Sequence, residues 1–260
     1  MLKQLHPAIK AIILDMDGVL WKDKTPIIDL PKAFARMNDL GLKVILATNN
    51  TMKTPEQFAE KLESMGVKVS PEQIINSPMG AAFLVKQRFP KGGPVYIIGE
   101  VGTHTALINA GFFHSESEPQ AVVVGLDRQI TFEKFKQATL LIRKGLPFFG
   151  TNPDLTFPVP EGFIPGTGPF LAFLESATGV KPIIAGKPFP YLFNLSFEKL
   201  GLPPDQIIGI GDRLETDIAG AQRAGCRSGL VLTGVSTLED VDKWEPKPDL
   251  IAKDLLEMLG

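Results

Sequence analysis

Seven short apolar runs, rich in β-branched residues, recur along the chain between longer amphipathic stretches: AIKAIILD, KVILATNN, PVYIIG, AVVVGL, PFFGTN, IIGIGD and SGLVLTG. Because each run is continuously apolar rather than alternating, it predicts a strand that is buried on both faces. The stretches PKAFARMNDLG and TPEQFAEKLESMG have proline near the start and glycine at the end, which is typical of helices. This alternation predicts an α/β fold with a mostly parallel sheet between helix layers.

The length and charge of the chain limit its domain count and its partners. A chain of 260 residues is near the upper size of a single core, so two domains are expected. Hydrophobic residues make up 44%, enough to form a packed core. A net charge of -2 gives no broad basic field, so we expect no nucleic-acid polymer as a partner.

The chain shows none of the features of a secreted or membrane protein. Its single cysteine, Cys226, excludes an internal disulfide framework and fits a reducing compartment. The N-terminal stretch MLKQLHPAIK does not resemble a signal peptide, and no apolar run is long enough to span a membrane. We therefore expect a cytoplasmic protein with no membrane partner.

Polar residues follow several of the apolar runs. Asp15 and Asp17 follow the first, the polar stretch 48–51 ends the second, and Asp212 follows IIGIG. Parallel sheets bind their ligands at the carboxyl ends of the strands, so we expect these side chains to form one site.

An inserted domain is predicted between the second and third of these groups. Residues 81–179 have their own pattern of strands and helices and are long enough for a small domain. Turn-forming residues flank the segment at 77–80 and at 179–182. The sequence therefore predicts a discontinuous main domain, residues 1–80 plus 180–260, and an inserted domain, residues 81–179.

Residues i and i+2 of an extended strand point to one side, so we expect Asp15 and Asp17 to face the same cavity. Two such carboxylates require a cation, a shared proton or both. The alternative is a solvated polar turn in which Gly18 serves the backbone. Thr48 and its neighbouring amides could hold an anion, although a plain loop is an alternative for them too.

Three more charged residues fit a site for a cation and an anion. Lys187, in a Gly-Lys-Pro turn, could balance a carboxylate or an anionic oxygen, or could simply be solvated. Asp212 and Asp217 offer hard oxygen ligands with no histidine or cysteine nearby, which suits Mg2+. A dinucleotide-binding fingerprint fails because Leu214 occupies its last glycine position, and an EF-hand fails at Val19 and Leu20.

In this order, the motifs DMDGVLW, ATNNT, TNPD, AGKP and GDRLETDIAGA resemble the haloacid dehalogenase-like hydrolase superfamily over essentially the whole chain. They are most similar to subfamily IIA, which contains 4-nitrophenyl, nucleotide, phosphoglycolate and pyridoxal phosphate phosphatases. The resemblance implies a Rossmann-like parallel-sheet core domain with an inserted smaller α/β cap domain. Two departures are slight: Glu215 stands where aspartate is common, and Val19 stands where threonine is common.

The resemblance also implies catalytic roles. Asp15 would attack phosphorus to form an aspartyl-phosphate, and Asp17 would protonate the leaving oxygen and then activate water. Thr48, the amide of Asn49 and Lys187 would hold the phosphoryl oxygens.

A Mg2+ ion is implied as the cofactor. Its ligands would be Asp15, the main-chain carbonyl of Asp17 and Asp212, with Asp217 bound directly or through water. Such an ion is required physically, because converging carboxylates would otherwise repel a phosphate dianion.

The substrate is expected to be a small phosphorylated metabolite of the nucleotide, sugar phosphate, phosphoglycolate or pyridoxal phosphate type. Asn50, together with Asn152 and Asp154 in the cap, is a further expected substrate contact, and Thr167 is another candidate. Ordinary turn chemistry is an equal alternative for the cap residues. Relatives of this kind often pair through their caps, so a homodimer is one option.

Two other functions use similar residues. A receiver-like phospho-acceptor module also combines clustered aspartates, Mg2+, threonine and lysine, but it is about half this long and lacks an acid–base such as Asp17. A phosphomutase would use the same scaffold, usually with a different cap. A dehalogenase would lack the second aspartate. Trp21 and Cys226 are interpreted as packing residues.

Overall fold

The structure of the protein is a computed structural model that describes residues 1–159 and 162–260. The strands in this part of the chain are numbered in order: β1 Ala11–Leu14, β2 Trp21–Lys22, β3 Thr25–Pro26, β4 Lys43–Thr48, β5 Ile74–Asn76, β6 Gly93–Ile98, β7 Phe112–His114, β8 Val122–Val124, β9 Phe148–Gly150, β10 Thr156–Val159, β11 Gly162–Pro165, β12 Ile183–Ile184, β13 Ile207–Gly211, β14 Arg227–Val231 and β15 Leu250–Ala252.

The helices are numbered in the same way: α1 Leu30–Asp39, α2 Pro55–Ser64, α3 Ser77–Arg88, α4 Val101–Asn109, α5 Phe132–Arg143, α6 Thr167–Thr178, α7 Tyr191–Leu200, α8 Ala219–Ala224, α9 Leu238–Lys243 and α10 Leu255–Leu259. Local sequence sets their ends. Asp29 caps α1 by accepting the Lys32 N–H at 3.0 Å, and Gly41, with φ +67°, turns the chain after it.

Contacts divide the chain into two compact units. The core unit comprises Met1–Thr48, Pro55–Ile75 and Lys187–Gly260, and the inserted unit comprises Asn49–Thr54 and Asn76–Gly186. The sequence placed the boundaries after residues 80 and 179. The compact units divide instead after residues 75 and 186, where Asn76 caps α3 and β12 pairs with β9, and the predicted domain bounds stay a prediction.

The core unit is built on a six-stranded sheet in the order β15-β14-β13-β1-β4-β5. Strand β1 pairs in parallel with both β13 and β4, and all four of its residues are buried. The hydrophobic core of this unit includes the buried side chains of Trp21, Phe58 and Met258. The predicted α/β fold with a parallel sheet is confirmed, and the central strands β13, β1 and β4 end side by side.

The inserted unit has its own five-stranded sheet, in the order β12-β9-β8-β6-β7, and every pair in it is parallel. Strands β10 and β11 form a separate antiparallel pair. The core of this unit packs α5 and α6 against the sheet through residues such as Val122, Leu141 and Leu174. Among the described residues, no helix is both long and apolar enough to cross a membrane.

Candidate active site

Asp15 lies at the carboxyl edge of the core-unit sheet. Strand β1 ends at Leu14, and the Asp15 N–H donates to the Ile210 carbonyl of β13 at 2.9 Å. Only 9% of Asp15 is exposed. A carboxylate in such a place needs a cation or a hydrogen-bond donor, because burying an unpaired charge is costly.

Lys187 supplies that partner. Its Nζ donates to Asp15 Oδ1 at 2.5 Å, to Asp217 Oδ1 at 2.6 Å and to the Ala47 carbonyl at 3.0 Å. The lysine is 3% exposed, so its charge is removed from water almost completely. One ammonium thereby joins three segments of the core unit: the residue after β1, Ala47 near the end of β4 and the short helical segment Leu214–Ile218 that follows β13.

The protonation of Lys187 follows from these contacts. Burial alone favours the neutral amine and lowers its pKa, but attraction to Asp15 and Asp217 outweighs burial. The Lys187 pKa therefore lies above its ordinary value, and the side chain is a fixed positive charge at neutral pH.

Three carboxylates could hold a cation together. Asp15, Asp212 and Asp217 each offer an oxygen atom, and these atoms lie within 4.8 Å of one another. All three ligands are hard oxygens, a donor set that fits Mg2+ or Ca2+ better than zinc or copper. The residues present therefore fit the predicted divalent cation.

Burial, together with repulsion from neighbouring carboxylates, raises the pKa values of Asp15 and Asp212. Burial raises the pKa of Asp15 well above its ordinary value; Lys187 opposes the rise, and the charges of Asp217 and Asp212 add to it. The pKa of Asp212 rises to about 6, through burial first and repulsion from Asp217 second, against the Val235 N–H that donates to its Oδ2 at 2.8 Å. A divalent cation would relieve both repulsions.

Glycines make room for the carboxylates. A Cβ atom at Gly18, where φ is +82°, would lie 2.6 Å from Asp212 Cγ, and one at Gly234 would lie 1.9 Å from Asp212 Oδ2. A Cβ at Gly211 would lie 2.2 Å from Asp217 Cγ. The glycines of DMDG and IIGIGD thus serve the site by letting the backbone approach these side chains closely.

The structure corrects one step of the reasoning about Asp17. Because β1 ends at Leu14, the i and i+2 rule for strands does not apply to Asp15 and Asp17. The Asp17 side chain is exposed and is not one of the three grouped carboxylates. Instead, its Oδ1 accepts the indole N–H of Trp21 at 2.7 Å.

Thr48 ends β4 and is 3% exposed. The next residue, Asn49, belongs to the inserted unit by its contacts. The Asn49 main-chain carbonyl accepts hydrogen bonds from the Ser77 hydroxyl and from the Asn152 side-chain amide, both at 2.6 Å. The Asn49 side-chain Nδ2 donates to Asp154 Oδ1 at 3.0 Å.

Asn152 is held by hydrogen bonds to protein at both ends of its side chain, and its expected role as a substrate contact stays a prediction. Asn152 is 3% exposed, and its Oδ1 accepts the Asp154 N–H at 3.1 Å while its Nδ2 donates to Asn49. A buried amide bonded to protein at both ends acts as a brace for the loop that begins at Asn49. Asn50 Oδ1 similarly accepts the Met52 N–H at 3.0 Å within its own turn.

The structure nevertheless brings the predicted contacts of the inserted unit together. One small cavity in the inserted unit is lined by all five of these residues: Asn49, Asn50, Asn152, Asp154 and Thr167.

Sequence reasoning missed three side chains that shape these sites. Trp21 was interpreted as packing, yet its indole binds Asp17. Ser77 was noted only as a turn residue, although its hydroxyl is buried against Asn49. The Ser236 hydroxyl accepts the N–H of Leu214 at 3.0 Å, at the start of the helical segment that contains Asp217. A tryptophan within a polar motif was the one available signal.

Comparisons with known proteins identify the family to which the chain is similar. Residues 12–113 match a family model described as haloacid dehalogenase-like hydrolase, and residues 184–258 match one described as HAD-hydrolase-like. An acid sugar phosphatase of Staphylococcus aureus is 37% identical over 252 residues, which cover 96% of this chain and 97% of that protein.

Solved structures are similar over nearly the whole chain. The p-nitrophenyl phosphatase from Archaeoglobus fulgidus has a TM-score of 0.90 at 32% identity, covering 97% of this chain and 99% of its own. A glycerol phosphate phosphatase from Mycobacterium tuberculosis, solved in complex with calcium, has a TM-score of 0.90 at 30% identity. That match covers 96% of this chain and 74% of the mycobacterial one.

Proposed function

The chain belongs to the haloacid dehalogenase-like hydrolase family and is a phosphatase, and we propose that it hydrolyses small phosphate monoesters with Mg2+ through a phosphorylated Asp15. The observation that carries this proposal is the buried group in which Lys187 bridges Asp15 and Asp217, with Asp212 beside them. This group pairs a nucleophile with a fixed positive charge and a cation site.

Asp15 is the proposed nucleophile. One of its carboxylate oxygens attacks phosphorus and forms an O–P bond as the bond from phosphorus to the leaving oxygen breaks. Lys187 keeps Asp15 oriented and offsets the negative charge that gathers when a phosphate dianion approaches. Without such charge compensation, carboxylates and phosphate would repel each other strongly in a buried site.

Asp17 is the proposed acid and base. It gives its proton to the leaving oxygen in the first step. In the second, it takes a proton from water, whose oxygen attacks phosphorus and breaks the bond to Asp15. An exposed carboxylate two residues beyond Asp15 suits this role, because it must exchange protons with the leaving group and with water.

Asp15, Asp212 and Asp217 are the proposed metal ligands, together with the main-chain carbonyl of Asp17. A bound Mg2+ would supply Lewis-acid stabilisation of charge on the phosphoryl oxygens. Thr48 and the Asn49 amide are proposed to bind phosphoryl oxygens.

The expected substrate is a small phosphorylated metabolite, and the names of the relatives favour a sugar or polyol phosphate. The matched proteins are called acid sugar phosphatase and glycerol phosphate phosphatase. Asn50 and Asp154 are the proposed contacts for the leaving group. A cytoplasmic location and pairing through the cap stay predictions.

Phosphate release from 4-nitrophenyl phosphate and from a panel of sugar and polyol phosphates, with and without Mg2+, tests the proposal. We expect Mg2+-dependent release that Asp15→Asn abolishes. Lys136→Met, which removes an exposed lysine of the inserted unit, serves as a control and should retain parental activity. Full activity of Asp15→Asn would contradict the proposed nucleophile.

A further inference from the structure

The loop after β1 folds back on itself and brings Trp21 against Asp17. Gly18 has φ +82°, and its N–H donates to the Trp21 carbonyl at 2.8 Å. The Thr233 hydroxyl donates to the Gly18 carbonyl at 2.6 Å and fixes the turn from the other side. The loop therefore has a defined shape in which residues 17 and 21 are neighbours.

Trp21 is held rigidly within the core unit. Its side chain is fully buried, and it packs in the cluster that contains Leu14 and Phe58. Lys61 Nζ lies 3.8 Å from the centroid of its ring and also donates to the Asp23 carbonyl at 2.8 Å. A buried ring with a cation on one face has little freedom to turn.

The one polar atom of this ring is directed at Asp17. The distance from Trp21 Nε1 to Asp17 Oδ1 is 2.7 Å, short for an N–H donor and typical of a bond to a charged acceptor. Asp17 itself is exposed, so without this donor its carboxylate would sample several rotamers. The buried indole thus fixes the orientation of an otherwise mobile surface carboxylate.

We propose that Trp21 is a positioning residue that orients Asp17 for proton transfer to the leaving group. This inference rests on the proposed role of Asp17 as acid and base. Orientation matters because general acid catalysis requires the donor within hydrogen-bond reach of the leaving oxygen, and small displacements reduce the rate steeply. Trp21 acts through Asp17 and does not itself touch the substrate.

Two substrates with different leaving groups test the proposal. An alkoxide such as that of glycerol phosphate needs a proton as it leaves, whereas 4-nitrophenolate leaves well without one. Trp21→Phe keeps a ring and removes the N–H. We expect it to lower kcat/KM for glycerol phosphate about tenfold and for 4-nitrophenyl phosphate less than about threefold.

The chain offers a matched control, because it has two tryptophans. Trp244 donates its indole N–H to Gln222 Oε1 at 3.4 Å, after helix α9. Trp244→Phe makes the same chemical change and should alter neither substrate. An equal loss for both substrates in Trp21→Phe, or no loss for either, would overturn the proposal.

A second measurement does not depend on activity. The folded protein has two indole N–H groups, so a 1H–15N NMR spectrum gives two indole signals, and the Trp21→Phe spectrum identifies them. Asp17→Asn should shift the Trp21 signal and leave that of Trp244 in place. An unshifted Trp21 signal overturns the proposed contact even in an active phosphatase, whereas full glycerol phosphate hydrolysis by Asp17→Asn removes the acid–base role on which the inference rests.

Discussion

Lys187 Nζ lies 2.5 Å from Asp15 Oδ1, although 172 residues separate the two in the chain. Asp217 accepts a second hydrogen bond from the same ammonium at 2.6 Å. Folding of the core unit therefore brings the proposed nucleophile Asp15, its counter-charge Lys187 and the proposed metal ligand Asp217 together in one buried group.

Replacement of Lys187 by methionine should damage both activity and stability. The change leaves two buried carboxylates without their cation, so we expect kcat/KM to fall at least about 100-fold. The free energy of unfolding, measured with denaturant at pH 7.5 without Mg2+, should fall by about 3 kcal/mol. Lys134→Met, which breaks the more exposed pair with Asp127 in the inserted unit, is the control and should change both quantities far less. Parental activity in Lys187→Met would contradict the role given to this lysine.

Stabilisation by Mg2+ should depend on pH. The pKa of Asp212 is raised to about 6 from an ordinary value of 3.8, so in the metal-free protein its contribution to stability is present below pH 4 and is lost as pH rises through 6. Mg2+ binds the ionised carboxylate, so the stabilisation that Mg2+ gives should increase as pH rises through 6. We expect the Mg2+-induced rise in Tm to be larger at pH 7.5 than at pH 5 and to disappear in Asp212→Asn. An equal rise at both pH values would contradict this ligand assignment.

Gly18→Ala should weaken metal binding specifically. The new methyl group would lie 2.6 Å from Asp212 Cγ and would displace that carboxylate. Gly41→Ala is a matched control, because Gly41 also has positive φ, at +67°, but a Cβ atom there meets nothing within 4 Å. Both variants should lose about 1 kcal/mol of stability through backbone strain. Only Gly18→Ala should lose Mg2+ affinity in calorimetric titration; equal affinities in the two variants would show that Gly18 is required only for the turn.

Cys226 should be inert in the folded protein. Its thiol is buried, and burial raises its pKa to about 12, so almost no reactive thiolate exists at neutral pH. We expect negligible reaction with a thiol-specific reagent at pH 7.5 and rapid reaction after unfolding in denaturant. Fast modification of the native protein, or inhibition by it, would contradict this environment.

The sequence predicted the parts of the site that lie directly after buried strands. Continuous apolar runs located β1, β4 and β13, and the carboxyl ends of neighbouring parallel strands meet at one edge. The positions of Asp15 and Asp212 follow from that pairing alone. Lys187 could not be derived in this way, because a turn residue carries no periodicity, and only its place in the motif order suggested a role.

The remaining details depend on contacts between distant residues. The hydrogen bond from Trp21 to Asp17 depends on a turn at Gly18, which lies beyond the end of β1 at Leu14. The burial of Asn152 against Asn49 is a property of the folded inserted unit, which the polarity of Asn152 does not predict. Strand β12 has only two residues, too few to give a pattern in the sequence, so the place where the inserted unit ends could not be predicted.

The central claim is that Asp15 takes up the phosphoryl group, and trapping that group tests it most directly. Asp17→Asn should complete the first step with 4-nitrophenyl phosphate and stall in the second, because water then lacks its base. Mass spectrometry after an acid quench should find one phosphoryl group on the peptide that contains Asp15, formed only when Mg2+ is present. An unmodified Asp15 peptide during continuing turnover, or a phosphoryl group on another residue, would contradict the account.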